Sequence, residues 1–159
     1  MGIDTGAYKF VEVLHVLAVV VGFGGIVVGG IFGAKAKSRG GAGGQAAAEV
    51  AFDVTEHWSQ WFIYAVPVLG ILLVLMSDDS YKFSQAWISI SFLLYIVFVG
   101  LMHGLHLPNI RRMNELITGA GADDVAELDA RAKKAGVVGG ALNLIWVVVV
   151  FLMVFQPGR

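Results

Sequence analysis

The sequence predicts an all-α polytopic membrane protein, a four-transmembrane-helix bundle with both termini extracytoplasmic and almost no soluble part. Three observations carry that expectation. Of 159 residues, 57% are hydrophobic and only 14% charged, with a mean hydropathy of +0.77, whereas a soluble domain carries about a quarter charged residues. The charges are segregated into short stretches, as a bilayer demands, since a charge in hydrocarbon costs roughly 2.5–3.5 kcal/mol on insertion scales. Finally, four segments have the length of about 20 largely apolar residues that a bilayer-spanning helix needs.

The spans cover residues 10–33, 58–76, 85–107 and 136–155. Backbone groups in lipid must be satisfied within the segment, and no period-2 alternation argues for a barrel, so the spans are helices. They leave no residues for a second domain, so 1–159 is read as a single unit. The connections follow from composition. Residues 34–45 read as a flexible, basic, glycine-rich loop, and 77–84 as a short turn opened by Ser77, Asp78 and Asp79. Residues 108–121 open with Pro108 and close with Gly-Ala-Gly. From Asp123 a helix is expected to run straight into the fourth span, carrying the pairs Glu127/Arg131 and Asp129/Lys133 four residues apart.

Charge orients the bundle. Lys35, Lys37, Arg39, Arg111, Arg112, Arg131, Lys133 and Lys134 fall on one side, against Lys9, Lys82 and Arg159 on the other. By the positive-inside rule the basic side is cytoplasmic, in a plasma or inner membrane. The first segment is not expected to be a cleaved signal, because it is long and its basic residues follow the apolar run. Cysteine is absent, which excludes disulfides, iron–sulfur clusters and thiolate zinc sites. The net charge of −1 gives no footprint for nucleic acid. There is no phosphate-binding glycine loop, nucleophile elbow or HExxH pair, so no motif assigns a reaction.

The four histidines are the chemical candidates, because intramembrane ionisable groups need an offset for their cost. If the second and third spans form a hairpin about residue 81, His57, His103 and His106 share one depth near the cytoplasmic interface. Two of these imidazoles can ligate a haem iron, or three a metal ion. Asp53 and Glu56 flank His57, either as further metal ligands or as a solvated polar stripe, the latter favoured for the acids. His15 lies near the outer face, too far to join them. Gly22, Gly29 and Gly33 follow on its face, and Gly25, Gly29 and Gly33 make a small-xxx-small repeat suited to helix packing. His15 is a candidate haem or quinone contact, with Met76 and Met153 as outer-side companions. Asn143 is expected to be buried as interhelical glue. Pro67 is expected to kink the second span. Trp58, Trp61 and Trp87 read as interfacial anchors, with Trp146 deeper.

Leu14-His15-Val16-Leu17-Ala18 followed by Gly22-Phe23-Gly24-Gly25 resembles the first helix of small bacterial four-helix membrane proteins, among them the copper-resistance CopD-like proteins and an uncharacterised set of predicted integral membrane proteins. The ending Phe151-Leu152-Met153-Val154-Phe155-Gln156-Pro157-Gly158 resembles that uncharacterised set, with Gln156 where a lysine is usual. HemJ-type proteins overlap with the group, and their first-helix histidine implies haem contact for His15. The leading expectation is therefore a haem b-binding or redox-associated bundle, acting as a subunit of a larger membrane assembly or as a homo-oligomer. The alternatives are copper or other divalent metal handling, and a structural accessory subunit.

Overall fold

In the computed structural model, residues 2–39, 41–118 and 125–158 are described, and among them there is helix and turn but no strand. The elements are α1 (Gly6–Arg39), α2 (Gly41–Asp53), a π-helical turn π1 (Val54–Trp58), α3 (Ser59–Met76), α4 (Ala86–Leu101), a second π-turn π2 (Met102–His106), α5 (Leu107–Thr118) and α6 (Val125–Phe155). Four continuous helices are long and apolar enough to cross a membrane: Gly6–Arg39, Gly41–Met76, Ala86–Ile117 and Val125–Phe155. Each contains one expected span. Four crossings put both ends of the chain at one end of the bundle, the terminal end, and the connections rich in Lys and Arg at the other, the basic end.

The helices outrun the expected spans at the basic end, and two expected loops are helical. Residues 34–45 continue α1 to Arg39 and begin α2 at Gly41, whose φ of +52° suits glycine. The small residues that suggested flexibility instead allow a tight corner. Ala36 packs on Ala47 and Ala48, and a Cβ at Gly44 would lie 2.7 Å from the Ala36 carbonyl oxygen. Residues from 108 likewise extend the third span as α5, with Pro108 in its first turn. The Gly-Ala-Gly stretch and the expected helix start at Asp123 lie outside the described residues. The turn at 77–84 is as expected: buried Ser77 accepts the Tyr81 N–H at 3.0 Å, while Asp78 and Asp79 take left-handed φ of 52° and 64°, a conformation acidic side chains tolerate.

Packing is tightest where α1 meets α3 and π1. A Cβ on Gly25 would come within 2.0 Å of Ser59 Oγ, and one on Gly29 within 2.0 Å of Thr55 Oγ1. The expected glycine seam thus holds at Gly22, Gly25 and Gly29, whereas Gly33 faces open space. The bundle core joins all four spans through Phe23, Ile26, Ile63, Phe98, Met102, Leu107 and Leu142. Pro67 has no N–H for the Ile63 carbonyl four residues earlier, and the Tyr95 hydroxyl donates to that oxygen at 3.1 Å. Asn143 corrects its expectation: it is exposed on α6. A buried amide that does join helices is Asn109, 2% exposed, which donates to the Arg131 carbonyl at 2.9 Å.

Candidate ligand cavity at the terminal end

The two halves of the bundle treat their histidines differently. At the basic end, both π-turns carry them: His57 in π1, His103 and His106 in π2. A π-turn shifts the backbone ladder by one residue, so Ser59 N–H bonds Val54 and Leu107 N–H bonds Met102. Side chains complete the π1 ladder. Ser59 Oγ donates to the Val54 carbonyl at 2.7 Å, and Gln60 Nε2 to the Thr55 carbonyl at 3.1 Å.

The basic-end candidates each have their own surroundings. His57 is exposed and sits 3.4 Å from Asp53, its own helical neighbour. His103 stacks on Tyr64 and hydrogen-bonds its hydroxyl at 2.8 Å, bridging α3 to π2 on the outer surface. His106 is buried against Gly139 of α6, and its Nδ1 has no partner. Glu56 is ion-paired with Arg111. Among the described residues no three His, Asp or Glu side chains gather as a metal-holding group. The set His57, His103, His106, Asp53 and Glu56 is therefore not brought together here. Beyond these lies a lattice of ion pairs: Lys37–Asp129 at 2.8 Å, Arg112–Glu127 at 3.2 Å and Arg131–Glu127 at 2.6 Å. Glu127/Arg131 pairs as expected, whereas Asp129 reaches Lys37 on α1.

At the terminal end the four spans line a partly open cavity of about 440 Å³ with largely apolar walls, among them the exposed Val16 and Val20 of α1 and Val150 and Val154 of α6. This lies within the range of small-molecule pockets, about 300–1,000 Å³. Phe23, stacked on Trp146 at 5.9 Å, forms part of the wall, with Phe98 tilted against it at 4.9 Å. His15 projects from α1 toward α3, where a Cβ on Gly70 would lie 3.4 Å from its Cε1. A side chain as small as alanine at 70 would meet the imidazole in ordinary van der Waals contact.

Three residues on this wall, His15, Trp87 and Trp146, each hold a buried ring nitrogen (Nδ1, Nε1 and Nε1) set behind the cavity surface. None of the three nitrogens has a hydrogen-bond partner of normal geometry, and the His15 ring lies against the Val66 backbone. Each such group costs about 1–3 kcal/mol if it stays unsatisfied. The three rings converge on one cavity, with their nitrogens set behind its surface. Glu12 also lines the cavity, one turn before His15, and no Lys or Arg is among the described lining residues. Met153 lines it as well, while Met76 does not.

Two of these groups were read differently from sequence. Trp87, expected as an interfacial anchor, is 5% exposed and belongs to the cavity wall. Glu12 was passed over, although an acid three residues before an intramembrane histidine is itself a signal. Tyr95, which caps the carbonyl freed by Pro67, lines the same cavity.

A family described as predicted integral membrane protein (DUF2269) matches residues 9–157. The chain belongs to that family. The match bears out the resemblance to an uncharacterised set of integral membrane proteins, and the CopD-like and HemJ-type likeness finds no support in it. No curated protein and no solved structure matches the chain. Membership and the four long apolar helices together make this chain an integral membrane protein with four spans, and the cavity is the feature from which its chemistry is argued.

Proposed function

We propose that this protein binds a neutral, lipid-soluble ring compound of the quinone class in the terminal-end cavity, as a redox-associated subunit beside a larger membrane assembly. The carrying observation is that His15, Trp87 and Trp146 line one apolar cavity, each with a buried ring nitrogen that a small ring rotation would turn toward a ligand. A quinone supplies what they lack. Its carbonyl oxygens accept from the indole N–H groups, and a carbonyl or hydroxyl pairs with the imidazole. Its ring suits walls of Phe23, Phe98 and Trp146, and its isoprenoid tail suits lipid. The partner assembly is argued from Asn143, whose amide faces outward from the fourth span, where lipid offers no hydrogen bond.

Haem b is the second reading, favoured by Met153 on the same cavity as His15, since imidazole and thioether together can ligate iron. Its two propionates count against it, because the lining offers Glu12 and no cation. One measurement separates the readings: spectra of protein gently extracted from its native membrane, oxidised and then reduced. The expected result is an ultraviolet quinone-minus-quinol difference that disappears in His15→Ala. A Soret band with sharp reduced α and β bands would establish haem instead. A featureless spectrum from folded protein, with no quinone in its solvent extract, would sink both.

A further inference from the structure

Glu12 has no task in the quinone-class reading, yet it is the one acid among the described residues that line the cavity. At the basic end Glu56, Glu127 and Asp129 each hold a protein cation. The Glu12 carboxylate takes part in no ion pair or hydrogen bond among the described residues. From Gly6, where α1 starts, to Glu12 the helix rises about 9 Å. A carboxylate inside a span is costly without a counter-charge, and such residues mark ligand and ion sites. His15, on the same helix face, is an imidazole with little positive charge at neutral pH.

The place of Glu12 on the cavity is specific. The open side is bordered by one row of α1, Glu12, Val16 and Val20, spaced four apart and all exposed, and by exposed Val150 and Val154 of α6. The two helices are fastened elsewhere: Lys37 pairs with Asp129 at the basic end, and Phe23 stacks on Trp146 deeper in the bundle. Toward the terminal end the rim is therefore apolar on both helices, with Glu12 as its charge. Behind the rim the walls are aromatic. Phe98 tilts against Phe23, Tyr81 meets Trp87 edge-on, and buried Tyr8 lies one turn before Glu12. No Lys or Arg is among the described lining residues.

We infer that the same cavity accepts a lipophilic organic cation, of the aryl-phosphonium or quaternary-ammonium kind, with its charge beside Glu12 and its apolar groups among the aromatic walls. The carboxylate is a counter-charge for which no lining cation competes. Faces of Trp, Tyr and Phe rings attract positive charge and repel negative. A cation whose charge is spread over apolar groups also gives up little hydration on leaving water, whereas a compact ammonium gives up much more. Anions of equal size are rejected by the same two features. This ligand class goes beyond the quinone-class reading and does not rest on it, because a neutral ring uses the nitrogens of His15, Trp87 and Trp146 and the cation uses Glu12.

Tetraphenylphosphonium and tetraphenylborate test the point, being nearly identical in shape and opposite in charge. Replacing Trp58 and Trp61 with Phe leaves Trp87 and Trp146, both on the cavity wall, as fluorescent reporters. This parent chain, purified in dodecyl maltoside, is titrated with each ion separately and then with decylubiquinone as a neutral quencher. It is expected to bind the phosphonium at least about tenfold more tightly than the borate, a difference of ~1.4 kcal/mol. Glu12→Gln, which removes the charge at nearly constant shape, is expected to weaken phosphonium binding by about the same factor while decylubiquinone quenching stays within about twofold. No phosphonium binding by the parent, equal affinity for the two ions, or phosphonium affinity unchanged in Glu12→Gln would each overturn the inference. The comparison of ions uses one protein, so it decides whether or not Glu12→Gln folds well. Selective phosphonium binding by a parent chain that decylubiquinone does not quench would remove the quinone-class reading and leave this one standing.

Discussion

Each half of the bundle holds a histidine with a buried Nδ1, and the surroundings of His15 and His106 differ in kind. His106 lies in a π-turn pressed against Gly139, near a tight glycine seam and a lattice of ion pairs. His15 lies on the wall of a cavity of about 440 Å³ with two further unpartnered donors. Burial of an imidazole is therefore not by itself a mark of function. What separates the two sites is open space and the company of other unsatisfied polar atoms.

The largest effect that sharpens this contrast is expected at the glycine seam of the basic half. Gly25→Val and Gly29→Val force a side chain onto Ser59 or Thr55, and the displaced Ser59 loses its bond to Val54. Overpacking of this kind costs about 3 kcal/mol, measurable as earlier unfolding in a detergent titration. Gly30→Val and Gly33→Val have nothing within 4 Å and are expected to change stability by less than ~0.5 kcal/mol. Equal losses at all four positions would show that helix propensity, and not the seam, sets the outcome.

Asn109→Ala comes next. It leaves the Arg131 carbonyl without its 2.9 Å donor at a site 2% exposed, so a loss of about 2 kcal/mol is expected. The parallel change Asn143→Leu, on the outward face of α6, is expected to leave the isolated protein's stability unchanged. Any defect it causes is then to be sought in association with another membrane protein, by comparing the two variants in native membranes and after purification.

The cavity responds in another way. His15→Leu replaces a half-buried imidazole that lies against the Val66 backbone, so thermal stability without ligand is expected to change by less than ~1 kcal/mol, while quinone quenching of Trp87 and Trp146 is lost. His106→Leu is expected to leave that quenching intact. Loss of binding in both variants would break the distinction between the halves.

These sites were legible in the sequence to different degrees. The four spans were fully readable, because length and apolarity in a bilayer leave little alternative to a helix. The helical ends were not. Residues such as Ala36, Gly41 and Gly44 read as a flexible loop when weighed singly, and they form a corner only because each helix gives the other a surface. His15 was legible as an ionisable residue inside a span. Its partners were not, since Trp87 near a span end looks like any interfacial tryptophan until the fold turns its indole inward. The π-turns carrying His57, His103 and His106 leave no mark in hydropathy, so three histidines at one expected depth suggested a cluster that the described structure does not assemble.

The smallest expected effect concerns the ion-pair lattice and tests whether charge or packing closes the basic half. Arg111 pairs with Glu56, linking α5 to π1, and its side chain is 55% exposed. An exposed pair of this sort contributes between about 0.2 and 1 kcal/mol and weakens as salt screens it. Arg111→Ala is thus expected to lower stability by less than ~1 kcal/mol at low salt and by less still at high salt, with ligand quenching unchanged. The same salt increase is expected to leave the Gly25→Val penalty where it was, because steric overlap is not screened. A large, salt-sensitive loss at Arg111 would mean that electrostatics holds the basic half together, and the glycine seam would then be its consequence and not its cause.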